Sequence, residues 1–253
     1  AHKIMIIDTH THLSDPRYSN VPETLSAFKA FGGELIIDVG FDKDSSLKAA
    51  ELAKDFSDVY FAAGFHPSEE AKNNDYEAIE GLLDGEKCVA VGEIGLDYYW
   101  MSSTKEKQRE FFTKQIELAK SLDMPIIVHD RDAHGDTEHI LRKMQPKGVV
   151  HCFSGSKEMA REIIKIGMYI GLNGVATFKN ARKSLEVVKE IPLERLVLET
   201  DCPYLAPEPH RGKRNDSSYI PYIAMRIGEV LNMDAQEILN ITTQNAKRLY
   251  GLE

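Results

Sequence analysis

The 253-residue chain has three cysteines, Cys88, Cys152 and Cys202, too few and too widely spaced for a disulfide framework or a zinc ribbon. Reduced thiols are expected. No apolar run approaches the roughly 20 residues that a membrane span needs, and no charged stretch leads into a signal-type apolar segment. The expectation is a cytoplasmic protein with no membrane partner. Positive charge is also scarce. Lys+Arg 31 against Asp+Glu 40 leave −9, which excludes a surface that coats duplex DNA or an anionic bilayer. Any anionic substrate must be held locally. A G-x-G-x-x-G turn is missing after the first strand, which disfavours a doubly wound nucleotide-binding sheet. No linker or low-complexity run divides the chain, and 42% hydrophobic with 28% charged residues excludes disorder and fibre.

What is present is repetition. Short β-rich runs fall at Ile4–Asp8, Glu34–Val39, Val59–Gly64, Cys88–Glu93, Pro125–His129, Gly148–Cys152, Tyr169–Leu172 and Arg195–Glu199. Helical patterns lie between them, at Pro22–Phe31, Asp44–Phe56, Asn74–Leu83, Thr104–Leu122, Thr137–Met144, Lys157–Ile166 and Ala181–Val188, and a longer helical stretch covers Ser217 to Tyr250. The spacing suits right-handed crossovers between parallel strands. Eight such units in one chain predict an α/β fold, a single-domain (β/α)8 TIM barrel over residues 1–253, with chemistry on loops at the carboxyl ends of the strands.

Ionisable residues gather at those ends. His10 and His12 close the first run in IIDTHTHL, and the period of two turns both rings to one face. Glu93 ends the fourth run, His129 the fifth and His151 the sixth, while Asp201 follows the eighth. A lone strand-end histidine is usually structural. Repetition at five strand ends is different, because buried charge is costly unless paired or bound to metal. Four imidazoles and two carboxylates suit Zn²⁺, Mn²⁺, Co²⁺ or Ni²⁺, whereas Mg²⁺ prefers more oxygen. Asp8 shares the parity of His10 and His12 and either supports an imidazole or bonds backbone. Cys152, beside an inward ligand, is expected to point outward into the core.

The ordered segments IIDTHTHL, GFHPSE, VGEIGLDYY, PIIVHDRDA, HCFSGS, LVLETDCPYLAP, RGKRN and TTQNAKRLY resemble the TatD family of metal-dependent hydrolases, within the amidohydrolase-like barrels, along the whole chain. The resemblance implies two divalent ions, one held by His10, His12, Glu93 and Asp201, the second by Glu93, His129 and His151, with Glu93 bridging. Family members are often described as magnesium-dependent, so Mg²⁺ joins the candidates. The segment between His129 and His151 is short for the family, so substrate contacts there do not transfer.

Two such ions can activate a water and hold a phosphodiester. Asp201 and Glu93 are the catalytic candidates, Asp201 as the group that orients or deprotonates the water. For substrate contacts the candidates are His66 after the third strand, Arg131 two residues past His129, and Arg211, Lys213 and Arg214 in the RGKRN loop. A structural loop histidine and a loop held by ion pairs are the alternatives. Tyr98, Tyr99 and Trp100 either stack on a base or cover the mouth. The expected function is a metal-dependent hydrolase of phosphoester bonds, a TatD-type deoxyribonuclease trimming single-stranded or frayed DNA from a 3′ end. A metal-dependent acyl hydrolase, such as a D-aminoacyl-tRNA deacylase, is the alternative, and a non-catalytic binding barrel a second. DNA or another phosphate-bearing molecule is the expected partner, and nothing calls for an obligate protein partner.

Overall fold

The computed structural model describes residues 5–70, 72 and 76–252. Eight strands form one sheet in sequence order, every neighbouring pair parallel: β1 (Ile6–Thr11), β2 (Gly33–Val39), β3 (Val59–Ala63), β4 (Cys88–Asp97), β5 (Ile126–Arg131), β6 (Gly148–Val150), β7 (Tyr169–Leu172) and β8 (Leu196–Leu198). The sheet curls until its edges meet. A parallel bridge joins Thr11 to Cys202, with His12 N–H donating to the Cys202 carbonyl and Asp201 N–H to the His10 carbonyl, each at 2.9 Å. The last seam of this (β/α)8 barrel therefore runs between predicted ligands.

Seven crossover helices pack outside: α1 (Val21–Ala30), α2 (Lys43–Asp55), α3 (Tyr76–Leu83), α4 (Lys105–Ser121), α5 (His134–Met144), α6 (Lys157–Ile166) and α7 (Arg182–Glu190). Local chemistry sets their ends. Asp42 and Ser45 form a capping box at α2, Thr104 and Ser156 accept backbone N–H groups at α4 and α6, and Gly167 ends α6 at φ 93°. The long C-terminal helix predicted from Ser217 is two helices, α8 (Ile220–Leu231) and α9 (Ala235–Tyr250). Asn232 at φ 53° stops the first and Asp234 caps the second, a break that helical composition alone does not reveal. Across the amino ends of the strands, Thr243 Oγ1 of α9 donates to the Met5 carbonyl and Asn245 Nδ2 to that of Leu196.

Alternation divides the strand residues between two cores. Ile6, Ile36, Val91, Ile126 and Val150 pack toward helix residues such as Phe112, Ile116 and Ile163. Ile7, Ile37, Ala90, Ile127, Val149 and Val197 fill the interior, joined by Ala246 and Tyr250 of α9. On two strands the alternation slips, and the slips position the site. The register of β1 against β2 shifts between Asp8 and Thr11, and that of β4 against β5 between Val91 and Ile94. Val91, Ile94 and Leu96 all pack in the outer core, so Glu93 is turned inward where strict alternation from Val91 would turn it out.

Strand bounds differ from expectation mainly here. The start of β1 predicted at Ile4 and that of α3 at Asn74 lie outside the described residues. β1 reaches Thr11 and β4 reaches Asp97, because each continues to pair beyond its slip. β6 ends at Val150, two residues before the predicted Cys152.

Candidate metal centre

Glu93 lies buried on β4, turned into the barrel, and two glycines make room for it. A Cβ on Gly92 would stand 2.6 Å from the Cβ of Ile127, and one on Gly95, at φ 148°, would stand 1.9 Å from the carbonyl oxygen of His129. The V-G-E-I-G sequence thus allows β4 to lie against β5 with no side chain at either position.

All six predicted ligands converge. His151 Nε2 lies 2.5 Å and His129 Nδ1 3.3 Å from Glu93 Oε1. His10 Nε2 and His12 Nε2 are each 3.9 Å from the same carboxylate. Asp201 Oδ1 is 3.1 Å from His12 Nε2 and 3.5 Å from His10 Nε2. Three overlapping sets of ligand atoms each fit within 4.8 Å: His10 with His151 and Asp201, His10 with His12 and Glu93, and His66 with Glu93 and His129. Glu93 and Asp201 lie deep, with side chains 7% and 15% exposed.

The outward nitrogens of three rings are committed elsewhere. His12 Nδ1 donates to the Val39 carbonyl at 2.9 Å, His129 Nε2 to Asp97 Oδ2 at 3.0 Å, and His151 Nδ1 to Glu199 Oε2 at 3.0 Å. These partners set the tautomers, leaving the other nitrogen of each neutral ring bare and facing the carboxylates. Acceptors that face acceptors at about 3 Å require a cation between them. The arrangement therefore fits a divalent metal: borderline imidazole and hard carboxylate donors, buried and already oriented.

Without ions, protons serve that purpose. Burial pulls every ring toward neutrality, but the bond to Asp201 raises His12 to about 9, and bonds to Asp97 and Glu93 raise His129 to about 9. His151, between Glu93 and Glu199, is raised well above the usual imidazole range despite burial. His10 goes the other way, lowered by burial and by the stacked His151 ring 3.9 Å away. Glu93 is buried, yet the surrounding imidazoles hold it well below the usual carboxylate range.

Two residues outside the predicted set complete the centre. Glu199 and Asp97 orient His151 and His129. Glu199 is almost fully buried and also accepts the Cys152 N–H, at 2.5 Å. Its signal was its place two residues before Asp201 in LVLETD, and that of Asp97 was its place four residues after Glu93. Asp8 does not support an imidazole. The slip in β1 separates its parity from that of His10, and its carboxylate binds Thr200 N–H, Thr200 Oγ1 and Ser217 Oγ at 2.6–3.0 Å. Cys152 lies past the end of β6 at φ 46°, so alternation does not decide its direction. Burial pushes its thiol up to about 12 and leaves it protonated at neutral pH.

The predicted substrate contacts separate. His66 lies in the centre, its ring centroid 4.3 Å from that of His129. Its Nδ1 accepts the Ser68 N–H at 3.1 Å, and burial followed by the charge of His129 lowers it to about 4, so it is neutral with Nε2–H as the donor. Arg131 ends β5, exposed, its guanidinium 4.0 Å from the ring of Tyr99. Arg211 is exposed and lies 3.8 Å over Phe178, and Lys213 is exposed beside it. Arg214 is taken up by the scaffold: Nη1 donates to the Arg17 carbonyl at 3.0 Å and the guanidinium covers Tyr18. Tyr98 is likewise occupied, its hydroxyl donating to Asp136 at 2.6 Å.

Comparison with known proteins points to metal-dependent hydrolases. A family model described as TatD related DNase matches residues 7–251. A Bacillus subtilis protein named as an uncharacterized metal-dependent hydrolase, YabD, is 46% identical over 254 residues, covering 98% of this chain and 100% of that protein. YcfH of Escherichia coli K12, named in the same terms, is 34% identical over 257 residues, covering 99% of this chain and 97% of its own. The crystal structure of YJJV, a TatD homolog from Escherichia coli K12, superposes with a TM-score of 0.90 at 30% identity, covering 98% of each chain. Among the described residues no helix is long and apolar enough to cross a membrane.

Proposed function

The chain belongs to the TatD family of metal-dependent hydrolases, and from that premise we propose that it cleaves phosphodiester bonds, as a deoxyribonuclease that removes nucleotides from the 3′ ends of single-stranded or frayed DNA. The observation that carries the reading is the convergence of bare imidazole nitrogens on Glu93 and Asp201 at 2.5–3.9 Å. His10, His12 and Asp201 would hold one divalent ion, His129 and His151 a second, and Glu93 both. When bound, such ions lower the pKa of water and offset the charge of a phosphodiester in its transition state.

The chain's own groups supply the rest. Asp201 is the more solvent-open of the two central carboxylates, at 15% exposure against 7% for Glu93. It is the group that orients the attacking water and takes its proton. His66, neutral with Nε2–H free of its Ser68 contact, donates a hydrogen bond to a phosphate or leaving-group oxygen. Arg131 at the end of β5, with Arg211 and Lys213 on the loop after β8, all exposed, give local positive charge on an acidic protein. The description of the family model as a DNase supports the choice of DNA.

The test is digestion of a 5′-labelled single-stranded oligonucleotide by metal-loaded protein. The expected result is stepwise shortening from the 3′ end with release of nucleoside 5′-monophosphates. Hydrolysis of a carboxylic ester such as D-aminoacyl-tRNA, without cleavage of the oligonucleotide, overturns the proposal.

A further inference from the structure

Trp100 is the chain's single tryptophan and is 67% exposed, next to Tyr99 at 55%. Large aromatics so open to water bury little of the surface that usually justifies them. They are nonetheless held in place. Asp97 Oδ1 accepts the N–H of Tyr99 at 3.1 Å and that of Trp100 at 3.0 Å, while Oδ2 accepts a hydrogen bond from Nε2–H of the ligand candidate His129 at 3.0 Å. One carboxylate thus fixes both the aromatic turn and an imidazole of the metal centre. Arg131, two residues past His129 on the same strand, lays its guanidinium 4.0 Å from the Tyr99 ring centroid and 5.8 Å from that of Trp100. The two rings stand edge to face, centroids 4.9 Å apart.

We propose that Tyr99, Trp100 and Arg131 form a platform on which an unpaired nucleobase of the substrate strand stacks while its phosphate meets the guanidinium. The proposal rests on the phosphodiesterase reading of the centre and names what holds the strand beside it. Flat π faces joined to a planar cation match the two parts of a nucleotide, and the match requires a base released from its duplex. A duplex end offers only its terminal pair. The preference for single strands is then a result of stacking, and the acidic surface does not need to attract the whole polymer.

Because Trp100 is the sole tryptophan, the platform reports on itself. Full-length metal-loaded protein is titrated with a phosphorothioate dT6, which resists hydrolysis, while tryptophan emission is followed. In parallel, KM and kcat on unmodified dT6 are measured for wild type, Trp100→Ala and Tyr99→Ala. Met225→Ala, an exposed apolar residue on α8, is the control. The expected result is saturable quenching, with KM raised about tenfold or more in Trp100→Ala and Tyr99→Ala, kcat changed less than threefold, and Met225→Ala unchanged. Turnover of dT6 with no quenching and unchanged KM in both aromatic variants overturns the platform and leaves the nuclease reading standing. Quenching without any turnover supports the platform and overturns the nuclease reading. Equal quenching by inorganic polyphosphate, which has no bases, overturns the stacking role.

Discussion

Glu199 accepts the Nδ1 proton of His151 through one carboxylate oxygen and the backbone N–H of Cys152 through the other, at 3.0 and 2.5 Å. The first bond turns the bare Nε2 of His151 toward Glu93, and the second fixes the turn that carries the ring. Replacing Glu199 by glutamine leaves one acceptor for two donors. Glu199→Gln is expected to keep its far-UV circular dichroism and to bind its metal about 10–100-fold more weakly, by competition with a chelator of known affinity. Unchanged affinity would show that Glu199 serves the fold alone.

The protons on His12 and His129, both raised to about 9, must leave before an ion enters. For a histidine with a raised folded pKa, the associated stability is complete below about 6.5 and is lost as pH rises through about 9. Metal binding should gain what the protons lose. Apparent Zn²⁺ affinity is expected to rise about tenfold per pH unit for each displaced proton between pH 7 and 8.5. Rings of ordinary pKa would give a flat profile across that window, and a flat profile would contradict the proton-filled cluster.

Two glycine substitutions should differ sharply. At Gly95 a Cβ would meet backbone 1.9 Å away at φ 148°, whereas around Gly81, exposed on α3, nothing lies within 4 Å. Gly95→Ala is expected to lose about 3 kcal/mol or more, or to fail to accumulate as folded protein, because the obstructing atom belongs to His129. Gly81→Ala is expected to gain about 0.5–1 kcal/mol from helix propensity. Thermal melts of the two proteins check both, and equal melting temperatures would refute the close approach of β4 to β5.

The sequence showed the centre in outline because ligands interrupt apolar runs in a way packing cannot explain. All six predicted ligands converge. What it concealed lies where alternation breaks. A period-of-two reading from Asp8 or Val91 assigns the wrong face to His10 or Glu93, because each strand slips by a residue before its ligand. Asp97 and Glu199 were missed for a related reason: an acidic residue that orients a ring looks, in sequence, like any acidic loop or strand end. The split of Arg211 from Arg214 depends on neighbours distant in sequence, Phe178 for one and Tyr18 for the other.

The central claim is that Glu93 joins two ion sites built from five strand ends. Crystals of the protein grown with Mn²⁺ and measured above and below the manganese absorption edge test it most directly. The account predicts two anomalous peaks about 3.5–4 Å apart on either side of the Glu93 carboxylate, one beside His10, His12 and Asp201, the other beside His129 and His151. A single peak, or peaks remote from Glu93, would contradict it.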